Sequence, residues 1–188
     1  MTHTSLLCLL LLLLVPIAAT VAQDADAPEW EDALAKAAQL YGHRNWICIV
    51  DSAYPAQSAP GITTIATGED HFTVIEKALK AVADAPHVRP IVYVDKELAY
   101  VPEEHAKGIR KCRGDLDRVL ADRDVQRLPH EDIIEKLDDA AATFQILILK
   151  TDLVLPYTSV FLQLDCGYWS AEGQAALEEA IEAGETDE

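Results

Sequence analysis

Short, almost wholly apolar runs alternate along the chain with longer stretches in which apolar residues return every three or four positions. The run WICIV at 46–50 has the length and continuous hydrophobicity of a buried strand, and FQILILK at 144–150 reads the same way. ITTIA (62–66), RPIVYVD (89–95) and SVFLQLD (159–165) predict further extended segments, and VQRL (125–128) a short one. Between them the period lengthens. From Pro28 to Tyr41 the residues Trp30, Leu34, Ala37 and Tyr41 share one helical face, Glu29, Glu31 and Asp32 occupy the first turn, and Gly42 reads as the C-cap. A second helix runs through VIEKALKAVADA to about Ala85, capped by Thr67 or Glu69. The stretch Pro102–Asp122 predicts two helical pieces joined by a turn, because Gly108 and Gly114 interrupt it. EDIIEKLDDAAA is a further helix, and EGQAALEEAIEAGETDE an acidic terminal helix and tail. Strands alternating with helices predict a three-layer α/β/α single domain around a central, mainly parallel sheet.

The N-terminus adds a different kind of segment. A leucine-rich run followed by small residues and then acidic ones reads as a secretory signal over residues 1–22, with Thr20 and Ala22 suiting the cleavage rule. The leader has no Lys or Arg before its apolar run, and Leu6–Ala22 approaches spanning length, so an uncleaved anchor is the alternative. The remainder, 23–188, is one domain's length with an acidic C-terminal tail. Export to the periplasm or medium is expected, with no stable membrane insertion after cleavage.

A net charge of −17 excludes nucleic acid as a partner, since phosphates require a basic patch that 15 scattered Lys and Arg do not form. Cleavage leaves Cys48, Cys112 and Cys166; Cys48 and Cys166 fall in strands and read as buried free thiols, and pairing of Cys112 stays open. No spacing of Cys and His suggests zinc, and the GxSxG, P-loop, GxGxxG and HExxH patterns are absent. Of the six histidines, His43 and His130 stand at junctions between predicted elements. His71, His87 and His105 lie among polar neighbours and read as surface residues.

Gly42-His43, Asp51 of DSAYPAQS eight residues after that histidine, and PYTSVFLQL before the last strand together resemble the D-ribose pyranase and L-fucose mutarotase family of sugar-anomer isomerases. The likeness runs from the N-terminal helix to Trp169. It implies that a monosaccharide is the substrate, that His43 is the general acid/base, and that Asp51 and Tyr157 bind the sugar. Ser159 stands where the family has an asparagine. His130 falls on a ligand-binding position that is histidine in the ribose branch and arginine in the fucose branch. The first motif is fucose-like and His130 ribose-like. The resemblance also implies a ring-shaped homo-oligomer with sites near subunit contacts. Because serine lacks the amide's separate donor and acceptor, the alternative is an exported, catalytically inactive sugar-binding or structural relative.

The chemistry suits these residue types. A cyclic sugar changes anomer by opening: the anomeric hydroxyl loses a proton, the ring oxygen gains one, and the aldehyde recloses on either face. Histidine, with an ordinary pKa of about 6.5, donates and accepts near neutrality. A carboxylate accepts hydrogen bonds from sugar hydroxyls, and no metal or organic cofactor is required. His43, Asp51 and Tyr157 are therefore expected to converge at the carboxyl ends of strands.

Overall fold

In the computed structural model, which describes residues 29–184, the apolar runs become the strands of one sheet. β1 (Trp46–Val50), β2 (Ile62–Ala66), β3 (Val88–Asp95), β4 (Val125–Leu128), β5 (Ile146–Lys150) and β6 (Val160–Cys166) stand in the order β2-β5-β1-β6-β3-β4. β5 runs parallel to both β1 and β2, and β3 parallel to β4. β6 is antiparallel to β1 on one side and to β3 on the other. The central position of β1 explains its sequence: all five residues are buried, so neither face can be polar.

Alternate strand residues serve two cores. α1 (Glu29–Leu40), α2 (His71–Ala83) and α3 (Ile109–Val119) cover one face, packing Trp30, Leu34, Ile75 and Ile109 with Ile47, Ile49, Leu147 and Leu162. α4 (His130–Ala141) covers the other, its Ile133 and Leu137 joining Trp46, Cys48, Ile148 and Phe161. Trp46, 1% exposed, stacks on Tyr93 with ring centroids 5.5 Å apart. Each fully buried side chain of this kind contributes about 1.5–3 kcal/mol, which is why the two helical layers hold without a disulfide; Cys48, Cys112 and Cys166 are all free. Cys166 is only half-buried, because it ends β6 beyond the cover of both cores. The terminal helix α5 (Ala171–Ala183) buries none of its residues.

Several local expectations change. α2 is capped by neither Thr67 nor Glu69 but by Asp70, whose carboxylate accepts from the amides of Phe72 and Thr73 at 3.1 and 3.0 Å. α3 passes through Gly114 unbroken: burial of Ile109, Cys112 and Leu116 outweighs the roughly 1 kcal/mol that an interior glycine costs. Gly108 does act as a breaker, taking φ of 96° at the helix start. Gly42 has no left-handed backbone; that conformation belongs to Arg44, with φ of 73°, whose guanidinium lies over the Phe144 ring. The leader with its cut after Ala22, and the last tail residues 185–188, lie outside the described residues. Among the described residues no helix is long and apolar enough to cross a membrane.

Candidate functional site

Because β6 runs against its neighbours, it begins at the edge where β1 and β3 end. Asp51 after β1, Asp95 at the end of β3, His130 opening α4 after β4, and the 151–159 connection ahead of β6 therefore meet at one edge of the sheet. The register makes this tight. Val160 pairs with Ile49 on one side and Val94 on the other, so Ser159, one step outward, stands between Val50 and Asp95. Open α/β sheets place ligands outside the carboxyl ends of their strands.

The centre of the cluster is an imidazole held by carboxylates. His130 Nδ1 lies 3.1 Å from Asp95 Oδ1, and the backbone amide of His130 donates to both oxygens of Glu97, each at 3.1 Å. Glu97 thus supplies the cap that Pro129, at the N-cap position, cannot. A carboxylate only accepts, so Nδ1 carries a hydrogen, and in the neutral tautomer the lone pair is on Nε2. The side chain of His130 is 29% exposed while that of Asp95 is 1% exposed, which turns the pair outward from a buried anchor. Burial pushes the Asp95 carboxyl above the usual range; the His130 contact opposes this, and the charges of Glu97 and Asp51 add to it. Asp95 Oδ2 has no partner.

Tyr157 meets His130 edge to face, with ring centroids 5.8 Å apart. Its φ of 59° is rare for a bulky residue, and it remains 39% exposed. Asp51 is held by its own turn, Oδ1 accepting from the amide of Ala53 at 2.8 Å. Lys150, paired with Val50 across the sheet, donates from Nζ to the carbonyl of Tyr54 at 2.5 Å. The Tyr54 hydroxyl is buried without a partner, and burial drives its pKa upward. Ser159 is 2% exposed.

Asp51, His130, Tyr157 and Ser159 are therefore brought together, and His43 is not. It lies in the turn before β1, at the opposite edge, exposed and near Asp165. The Arg89 guanidinium holds the Asp165 carboxyl below its usual range, with His43 adding a smaller pull. The cause of the separation is plain: a strand advances about 3.3 Å per residue, so the five residues of β1 alone put roughly 16 Å between His43 at one end and Asp51 at the other. Sequence reasoning missed Asp95, Glu97 and His71. Asp95 closes an apolar run just as Asp51 does, so the same signal was available; His71, placed at the surface by its neighbours, is 1% exposed. His87 is half-buried with Nε2 on the carbonyl of Tyr41, and His105 is exposed. A hollow of about 520 Å³ between α1 and α2, lined by four alanines with Asp84 and His87, lies away from the cluster; Asp95 itself lines a smaller one of about 130 Å³, with Leu98, Arg113 and Arg127. Among the described residues no three His, Cys, Asp or Glu side chains are grouped to hold a metal ion.

No protein-family model matches the sequence, and no curated protein matches it significantly. Solved structures do. Bacillus subtilis RbsD complexed with D-ribose is 19% identical over 71% of this chain and 91% of its own, with a TM-score of 0.47. FucU from Bifidobacterium longum is 17% identical over 74% and 94%, with a TM-score of 0.43. The fucose mutarotase from Streptococcus pneumoniae, in complex with L-fucose, is 15% identical over 75% and 97%, with a TM-score of 0.50. This chain therefore shares the fold of that fucose mutarotase.

Proposed function

We propose that the carboxyl-edge cluster binds a monosaccharide and interconverts its anomers. The observation that carries this reading is the Asp95-anchored imidazole of His130, packed on Tyr157 in the cluster that also holds Asp51. Nε2 takes the proton from the anomeric hydroxyl, and Asp95 stabilises the imidazolium that forms. Asp51 accepts hydrogen bonds from ring hydroxyls, and Tyr157 offers its ring edge and hydroxyl. The ring oxygen needs a proton as the anomeric oxygen loses one, and a second group on the far side of the sugar would let both transfers proceed together. In this reading it is His43 of a neighbouring copy, whose amino edge meets this carboxyl edge head to tail. Exposed apolar side chains at both edges support such an association: Tyr100 and Val154 at one, Leu40 and Tyr168 at the other. The second reading, an inactive sugar-binding relative, draws on Ser159, whose burial keeps its hydroxyl from replacing an exposed amide.

Magnetisation-exchange NMR on fucose, ribose and galactose with the purified mature chain tests this. Anomer exchange faster than buffer is expected for at least one sugar, falling about 10²–10⁴-fold in His130→Ala. His43→Ala is expected to lose activity alone and regain part of it when subunits are exchanged with Asp51→Asn protein, since mixed interfaces then contain one complete site. Sugar binding without exchange in the parent would establish the inactive relative. Export is part of the same reading, and the secreted product is expected to begin at Gln23.

A further inference from the structure

One buried titratable side chain takes no part in that chemistry. His71 is the first residue of α2 and is 1% exposed. Its Nδ1 lies 2.8 Å from Thr151 Oγ1 and its Nε2 2.9 Å from the carbonyl oxygen of Thr158. A carbonyl only accepts, so Nε2 carries the hydrogen. In the neutral ring Nδ1 can only accept, and the single Thr151 hydroxyl hydrogen is shared between Nδ1 at 2.8 Å and the Val50 carbonyl at 3.0 Å. Burial lowers the pKa of His71, against the Thr158 bond and the charges of Asp51 and Asp70, which favours that neutral form. An apolar side chain of similar size would fill the place without burying polar nitrogens. What the ring adds is therefore its two bonds.

Those bonds fall on the two ends of one loop. β5 ends at Lys150 and β6 begins at Val160, so Thr151 and Thr158 bracket the connection that carries Tyr157. The neighbouring backbone bonds tie the same segment: Thr151 N–H donates to Val50, Asp152 N–H to Glu69, and Ser52 N–H to Leu153. Thr158 further donates its hydroxyl to the Leu155 carbonyl at 2.9 Å. Tyr157, immediately before the clamped carbonyl, holds a left-handed φ of 59°. Such a conformation persists only where the surroundings over-determine it.

We infer that His71 is a positioning residue, a clamp that closes the 151–159 connection and thereby holds Tyr157 against His130 at the carboxyl edge. The clamp stands on the geometry alone; its effect on sugar rests on the function proposed above. Mutating the ring should loosen the loop and weaken sugar binding more than it slows the bound sugar.

The test compares His71→Leu, which fills the space without bonding, with His71→Gln, which has a donor for Thr158 and an acceptor for Thr151. In the full mature chain, amide hydrogen exchange at Ser52, Thr151 and Asp152 is expected to rise roughly tenfold or more in His71→Leu, one hydrogen bond's worth of local opening. Central β1 amides stay at parental rates, and His71→Gln returns towards the parent. Half-saturation for the turned-over sugar is expected to rise about tenfold in His71→Leu, with a smaller change in the saturated rate. Adding Tyr157→Ala to that variant should cost little more, because the two act through one contact. Parental exchange at those three amides, or equal loosening in His71→Gln, overturns the clamp. If His71→Leu does not fold, Thr151→Val removes the Nδ1 partner together with that hydroxyl's contact to the Val50 carbonyl, and unchanged exchange there overturns the clamp equally. A parent that turns over no sugar defeats the proposed function, while the amide measurements still decide the clamp.

Discussion

Replacing Asp95 by asparagine removes a buried charge and keeps the shape. The bond from His130 Nδ1 to the carboxylate, at 3.1 Å, is charge-assisted and contributes about 1.5–3 kcal/mol, against about 0.5–1.5 for its neutral counterpart. Set against that loss is relief of burial: Asp95 is 2% exposed and its Oδ2 lacks a partner, a penalty of about 1–3 kcal/mol. The two nearly cancel, so Asp95→Asn is expected to change stability at neutral pH by less than about 1 kcal/mol, or about 2–4 °C in Tm. Activity should not be spared. The amide can present its NH₂ to Nδ1, which moves the ring hydrogen to Nε2 and removes the base, so catalysed anomer exchange is expected to fall at least about 10²-fold. The pH dependence has a definite sign. Burial raises the Asp95 carboxyl, so on acidification the folded state takes up this proton before the unfolded chain does. The parent's burial penalty is thus present above the raised value and disappears as pH falls through it towards the ordinary carboxylate range. Relative to the parent, the variant should therefore be most stable near neutrality and lose that advantage in acid. Thermal melts across this range, with NMR exchange on the same samples, check both halves. A fall in Tm beyond about 8 °C near neutrality would show the carboxylate to be chiefly structural, and a parental exchange rate would remove the pair from the mechanism.

Tyr54→Phe deletes a buried hydroxyl that has no partner and keeps the ring against Phe161, so a gain of about 1 kcal/mol is expected in chemical denaturation; a loss of that size would mean the hydroxyl is bonded. Gly61→Ala would place a Cβ 2.5 Å from the carbonyl oxygen of Phe144 and 2.8 Å from that of Ala141, both main-chain atoms. It is expected to cost about 1–3 kcal/mol, read as a lowered denaturation midpoint with an unchanged slope.

Strands were the most legible part of this chain, because β1 and most of β5 are buried on both faces and nothing polar interrupts their runs. The opposition of His43 and Asp51 was equally legible in principle. A strand of five residues lies between them, and a strand has two ends. What no local pattern shows is partnership across the sheet. His71 sits in GEDHF, a polar context that suits a surface helix start, and only the approach of Thr151 and Thr158 from 80 and 87 residues away makes it a buried clamp. Asp95 escaped notice for a related reason: its role comes from His130, 35 residues on. Gly114 shows the converse, where a local signal for a break loses to the burial of its helix neighbours.

The strand that runs against the others also governs how the chain can assemble. β2, β5 and β1 form one half-sheet and β3 with β4 another, and β6 alone hydrogen-bonds to both. During synthesis, neither half can be joined to the other until residues 160–166 have left the ribosome. Until then β1 and β3 each expose an unpaired edge of largely apolar residues, the kind of surface that recruits other chains. Insertion of β6 therefore closes two edges in one step and sets the loop ahead of it in place at the same moment, so that the carboxyl-edge cluster forms only after the strands of both half-sheets have been made.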